Sequence, residues 1–134
     1  MIRFEVAGNP QALKRHRTGK FGNYDPSKQD KESFLILAHM HRPSKPLEVP
    51  LNVEMTFYFP RPKSHYGTGK NVNVLKENAP THHTKKPDAM KLARAVEDAL
   101  TGIVWKDDSQ VWNCMVQKEY TSGQEFVEIR IWGD

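Results

Sequence analysis

Residues 85–111 read KKPDAMKLARAVEDALTGIVWKDDSQV. Ala89, Leu92, Ala93, Val96, Ala99 and Leu100 recur at helical spacing and make one apolar stripe, with Lys91, Arg94 and Asp98 on the other side. The pattern predicts a helix over 88–100. Asp88 opens it after Pro87, and Thr101-Gly102 closes it, glycine being favoured just past a helix end. A short apolar strand at 103–105 is expected next, running into a second acidic cluster, Asp107-Asp108. Carboxylates presented from two separate elements, in a basic chain with a lone cysteine, suggest metal-dependent nuclease chemistry.

Working outward, Ile2, Phe4 and Val6 alternate with Arg3 and Glu5 and predict a half-buried first strand, closed by Gly8-Asn9-Pro10. Residues 11–24 are rich in glycine and cations and read as a loop. Asp25-Pro26-Ser27 is a helix-start signal, and Phe34, Leu35, Leu37, Ala38 and Met40 extend it to a helix over 27–41. Pro43, Pro46 and Pro50 prevent its continuation. Leu51, Val53, Met55, Phe57 and Phe59 alternate with polar neighbours and Tyr58, a clean period-2 signal that Pro60 ends. Residues 61–87 form a long connection, of a length uncommon in a compact domain unless it is functional or disordered. Its basic content favours a loop that orders on a ligand. Two more strands are expected at 111–120 and 125–132, with Thr121-Ser122-Gly123-Gln124 as a hairpin turn between them. The order is β-α-β-loop-α-β-β, a mixed sheet with two helices packed against it, in the α+β class and within one domain spanning 1–134.

Cys114 stands alone, so no internal disulfide forms, and a reducing compartment is expected. No apolar run approaches the ~20 residues of a membrane span, and the first strand lacks the apolar core of a signal peptide. These features point to a cytoplasmic protein. Net charge is +4 and the pI near 9.2. The excess is concentrated: residues 61–86 hold six Lys or Arg and one acid, Glu77, and Lys14-Arg15-His16-Arg17 forms a second cluster. Clustered cations suit a polyanion, because each phosphate neutralised releases condensed counterions.

Hydrolysis of a phosphodiester needs an activated water and a place for charge on the leaving oxygen. Mg²⁺, or Mn²⁺ in its stead, supplies both when held by one or two carboxylates. Asp88 and Asp108 are the best-placed ligands, each at the end of an element, with Asp107 a second ligand or a supporting partner. Each also has a plainer reading. Asp88 is a candidate helix cap, Asp107-Asp108-Ser109 a polar turn, Asp98 a solvated acid, and His82-His83 an exposed pair. A structural zinc finds no CxxC pair. The aromatic residues make no stacking motif of the RNA-recognition kind.

The ordered set of Pro87-Asp88, Leu92, Arg94, Asp98-Ala99-Leu100, Gly102 and Asp107-Asp108-Ser109-Gln110-Val111 resembles the RusA family, small homodimeric Holliday-junction endonucleases often carried by phages and prophages. The strong match covers about a fifth of the chain. The resemblance implies that Asp88 and Asp108 bind metal, that Asp107 supports them, and that Arg94 takes the place of a lysine at the scissile phosphate. It implies junction DNA as substrate in recombination and repair, a homodimer, and no membrane. Lys14, Arg15, Arg17, Lys85, Lys86 and Lys91 are the expected DNA-binding cations. The chain departs from the family at Met90, where a second aspartate is usual, and at Lys91, where an asparagine is. A thioether is a poor ligand for a hard cation. Asp107, Asp98 or Glu97 then compensates, or Lys91 replaces part of the metal's charge, or the protein binds junctions without cutting them.

Overall fold

The computed structural model describes residues 1–8, 17–19, 22–24 and 28–133. In chain order the elements are β1 (Ile2–Ala7), β2 (Arg17–Gly19), β3 (Gly22–Tyr24), α1 (Lys28–His41), β4 (Leu51–Pro60), α2 (Ala89–Leu100), β5 (Val111–Thr121) and β6 (Phe126–Gly133). Single 3-10 turns lie at Lys63–His65, Gly69–Asn71 and Asp108–Gln110. The sheet order is β1-β6-β4-β5; β4 pairs with β5 in parallel and with β6 antiparallel, and β1 is antiparallel to β6. This is the mixed α+β sheet that the alternating patterns predict.

Register explains the core. Ile131, Ile129 and Val127 of β6 stand beside Val53, Met55 and Phe57 of β4, and Val6 and Phe4 of β1 complete the row. Successive strand residues point to opposite faces, so this odd-numbered set shares one face of the sheet. Phe34 and Ala38 of α1 and Leu92, Ala93, Val96 and Leu100 of α2 close over it in one cluster. Full burial of a side chain such as Phe57 contributes roughly 2–3 kcal/mol. The opposite face is polar: Arg3 pairs with Glu128 at 2.7 Å, and Glu128 with Arg130 at 3.1 Å.

Three expectations are corrected. Residues 17–24 are not all loop, since β2 and β3 pair as a small antiparallel hairpin. Residues 103–105 are not a strand but a turn: Gly102, at φ 87°, donates its N–H to Trp105 O at 2.7 Å, and only single bridges join Trp105 to Leu47 and Thr101. Three residues beside a buried tryptophan are too few to make a ladder. Thr121-Ser122-Gly123-Gln124 is not a hairpin turn. β5 and β6 are not neighbours, because β4 lies between them, and the connection passes the end of β4, where Arg61 N–H donates to Thr121 O at 3.1 Å. The 61–87 connection makes backbone hydrogen bonds of its own, and its His83 lies on the rim of the core.

Candidate acidic site and basic surface

α2 lies along β5 and antiparallel to it. Its entry is tied to the far end of β5: Lys118 Nζ donates to Lys85 O at 2.6 Å and to Pro87 O at 2.9 Å. Its exit is tied to the start of β5 through the 101–106 turn. Thr101 Oγ1 donates to Glu97 O and accepts from the buried Trp105 indole, while Leu47 N–H donates to Val104 O and Lys106 N–H to Leu47 O. These bonds set the acids of α2 at two separate places.

Asp88 occupies the N-cap position of α2 but makes no side-chain cap bond. Its carboxylate stands 3.7 Å from Lys91 Nζ and is 63% exposed. The capping role is therefore not the one it plays. Met90, 75% exposed, lies in the first turn beside it.

Asp108 is at the other end. Asp107 Oδ1 accepts from Ser109 N–H at 2.9 Å, and Gln110 Oε1 accepts from Asp107 N–H at 2.8 Å, a reciprocal capping box. Gln110 Nε2 then donates to Leu47 O and Val49 O. The turn is thus pinned on two sides, and the D-D-x-Q spacing has a mechanical meaning: the first acid caps, the glutamine anchors, and Asp108 is presented. The hydrogen bonds from Ser109 hold the Asp107 carboxyl below the usual carboxylate range.

Asp108 meets Glu97 in the last turns of α2. Partial burial, a hydrogen bond to Asp108 and repulsion from Asp108 and Asp98 push the Glu97 carboxyl up, opposed by the Arg94 guanidinium. Glu97, which the sequence offers only as a substitute for the residue missing at Met90, is the residue the structure pairs with Asp108.

Asp88 and Glu97 are nine residues apart on one helix, about 13 Å at 1.5 Å per residue. Within one chain the structure does not bring Asp88 to Asp108. Among the described residues, no group of three or more His, Cys, Asp or Glu is placed to share an ion. Arg94 is exposed on α2, one turn before Glu97 and Asp98.

The cations that sequence singles out fall in two places. Lys85, Lys86 and Lys91 are exposed around Asp88. Lys14 and Arg15 lie outside the described residues, and Arg17 is described only as the first residue of β2. The expected exposed histidine pair is split. His82 is exposed and its Nδ1 is 2.9 Å from Glu119 Oε1, whereas His83 is buried and stacks on Phe59 at 3.9 Å. Its neighbour Thr84 hides nothing in the pattern that would reveal this; only the bridge to β5, with His83 N–H donating to Lys118 O, turns the ring inward.

A four-stranded mixed sheet carrying two helices on one face, a carboxylate pair at a helix end and a lysine-lined entry to the same helix define a small α+β protein with an acidic site. Residues 7–132 match the family described as Endodeoxyribonuclease RusA, and the chain belongs to that family. It is also similar to the uncharacterized protein YqaN of Bacillus subtilis (strain 168), 35% identical over 136 residues, a match that covers 97% of this chain and 94% of that protein. Among the described residues, no helix is long and apolar enough to cross a membrane.

Proposed function

We propose that the protein is a divalent-metal-dependent endodeoxyribonuclease that resolves four-way DNA junctions as a homodimer in the cytoplasm, serving recombination and repair in a host or a phage. The observation that carries this reading is the nearness of Glu97 and Asp108 at the end of α2, in a chain of the endodeoxyribonuclease family. Two carboxylates brought close together would suit a hard divalent cation, Mg²⁺ or Mn²⁺. Such an ion, when bound, supplies a nucleophilic water at neutral pH and charge for the leaving oxygen.

The chain's own residues do the rest. Asp108 and Glu97 would hold the ion, and Asp107 fixes the turn that aims Asp108. Arg94 steadies negative charge on the phosphate; being always protonated, it does not donate a proton to the leaving oxygen. Lys85, Lys86 and Lys91 at the α2 entry, together with Lys14, Arg15 and Arg17, contact phosphates and fix orientation. Asp88 would reach an ion on Asp108 from a second copy, if a two-fold axis beside α2 set the helices of the two copies antiparallel. A junction also offers two equivalent strands, one for each site of such a dimer.

The test is cleavage of a synthetic four-way junction with Mg²⁺. Nicked duplex products are expected, and Asp108→Asn lowers the rate by at least about a hundredfold. Intact junction at enzyme excess, with either metal, overturns the enzymatic reading. Met90 favours a second reading, a junction-selective binding protein that does not cut, because an exposed thioether stands where the family usually places an aspartate. That reading expects a gel shift insensitive to chelator and no products.

A further inference from the structure

Residues 65–76 form a loop closed on itself. Lys76 N–H donates to His65 O at 2.9 Å, Gly67 N–H to Val74 O at 3.0 Å, and Tyr66 bridges Leu75. Inside this base, Asn71 N–H donates to Thr68 O, Val72 N–H to Gly69 O and Val74 N–H to Asn71 O. The packing is tight enough that a Cβ on Gly67 would lie 2.7 Å from Asn71 Cβ and 2.9 Å from Asn71 O. The base is anchored to the core. His65 is buried with its ring edge-on to Tyr120 at 5.0 Å, and the Arg61 guanidinium lies 4.8 Å over the same ring. Compact loops with close ends of this kind are frequently functional.

The tip is unusual in chemistry. Val72 and Val74 are each 56% exposed and Leu75 is 45% exposed. Three aliphatics turned to water from one small loop contribute no core burial, and their hydration is a standing cost that a partner relieves. Their setting selects the partner. Lys63, Lys70 and Lys76 flank the tip, with Glu77 the acid beside them. A purely apolar partner would strand those ammonium groups, whereas DNA offers phosphates to the lysines and base faces to the aliphatics. Apolar wedges with flanking cations are the means by which proteins unstack base steps. Unstacking costs least where stacking is already broken, as it is at a branch point.

We propose that the 65–76 loop is a pre-formed wedge that contacts unstacked bases at the branch of junction DNA, with Lys63, Lys70 and Lys76 on the flanking phosphates. This rests on the junction-binding reading above. It adds a source of selectivity for branched over linear DNA that the acidic site does not supply.

The experiment uses the full chain and a four-way junction carrying 2-aminopurine at the branch, in EDTA so that cleavage plays no part. Wild type is expected to raise the fluorescence on binding. V72S/V74S/L75S, whose changes are all at the surface, is expected to lose that rise and to bind the junction about tenfold more weakly, with affinity for linear duplex unchanged. Gly67→Ala, which misshapes the loop but keeps its aliphatics, is expected to reduce the rise as well. An equal rise in wild type and triple variant overturns the wedge, as does an equal loss of affinity for junction and duplex. Failure of wild type to shift the junction at low salt is a different outcome, and it overturns the junction-binding reading itself.

Discussion

Asp107 and Asp108 are adjacent acids with different tasks. The Asp107 carboxylate is committed to Ser109 N–H, while Asp108 faces Glu97. The sequence places both in the shell of an ion, and the polar-turn reading of the same triplet turns out to describe how Asp108 is aimed. If Asp107 acts by capping, Asp107→Ser keeps the acceptor and retains most of the junction-cleaving rate. Asp107→Ala removes it, costs about 1 kcal/mol of stability and slows cleavage. Loss of cleavage in both, with thermal stability kept in the serine variant, would instead make Asp107 a ligand. Sequence alone did not separate these roles, because D-D-x-Q has the same spelling whether an acid binds a backbone amide or a cation. Glu97 was legible only as an alternative, since its partner is eleven residues away and the intervening turn decides where it points.

At the scale of elements, α2 and β4 were readable because each carries a full period of apolar residues, and burial followed the stripe. The 103–105 segment was not, because three apolar residues fit a turn as well as a strand. The detail of the 61–87 connection was not legible for a related reason: its structure comes from backbone bonds and two imidazoles, which leave no periodicity. Those imidazoles give it a pH dependence. Burial first, then Lys118 and Lys85, holds His83 below the ordinary imidazole value, and its Nδ1 has no partner among the described residues. Burial and the charges of Arg61, Lys85 and Lys76 act the same way on His65, whose Nδ1 accepts from Arg61. The folded values are lowered, so the unfolded state binds protons first on acidification. The stabilisation is present in full above about pH 6.5 and is lost as pH falls from there through the folded values. Amide exchange in 61–87 is therefore expected to accelerate from pH 7 to pH 5, after correction for intrinsic rates. His83→Phe, which keeps a ring on Phe59, should blunt that acceleration. An unchanged pH profile in the variant would remove His83 from the account.

For the whole molecule, composition and strand patterns were enough to give a mixed sheet, but not its order. Alternation says which residues of a strand share a face; it does not say which strand lies beside which. Hence β5 and β6, close in sequence, were read as a hairpin although β4 separates them. The same arrangement sets Asp88 and Asp108 at opposite ends of α2, and this gives the proposed dimer a sharp test. Asp88→Asn and Asp108→Asn are each expected to be inactive alone. Co-expressed, half of the dimers carry one variant of each kind and so one intact site, and about a quarter of wild-type junction cleavage should return. No recovery, with both variants shown to share dimers, would place each complete site within a single copy.

The place of β6 between β1 and β4 also governs how this protein is made. Synthesis delivers β1 first and β4 next, but the strand that joins them comes last in the element order. Until it leaves the ribosome, β1 lacks the strand it pairs with among the described residues, and α1 alone is in place to cover its apolar side chains. Such late, distant pairing slows folding and leaves nascent chains prone to clump. Residues 126–133 are thus a keystone, and a stalled or nicked product lacking them is a substrate for chaperones and proteases rather than a smaller version of the enzyme.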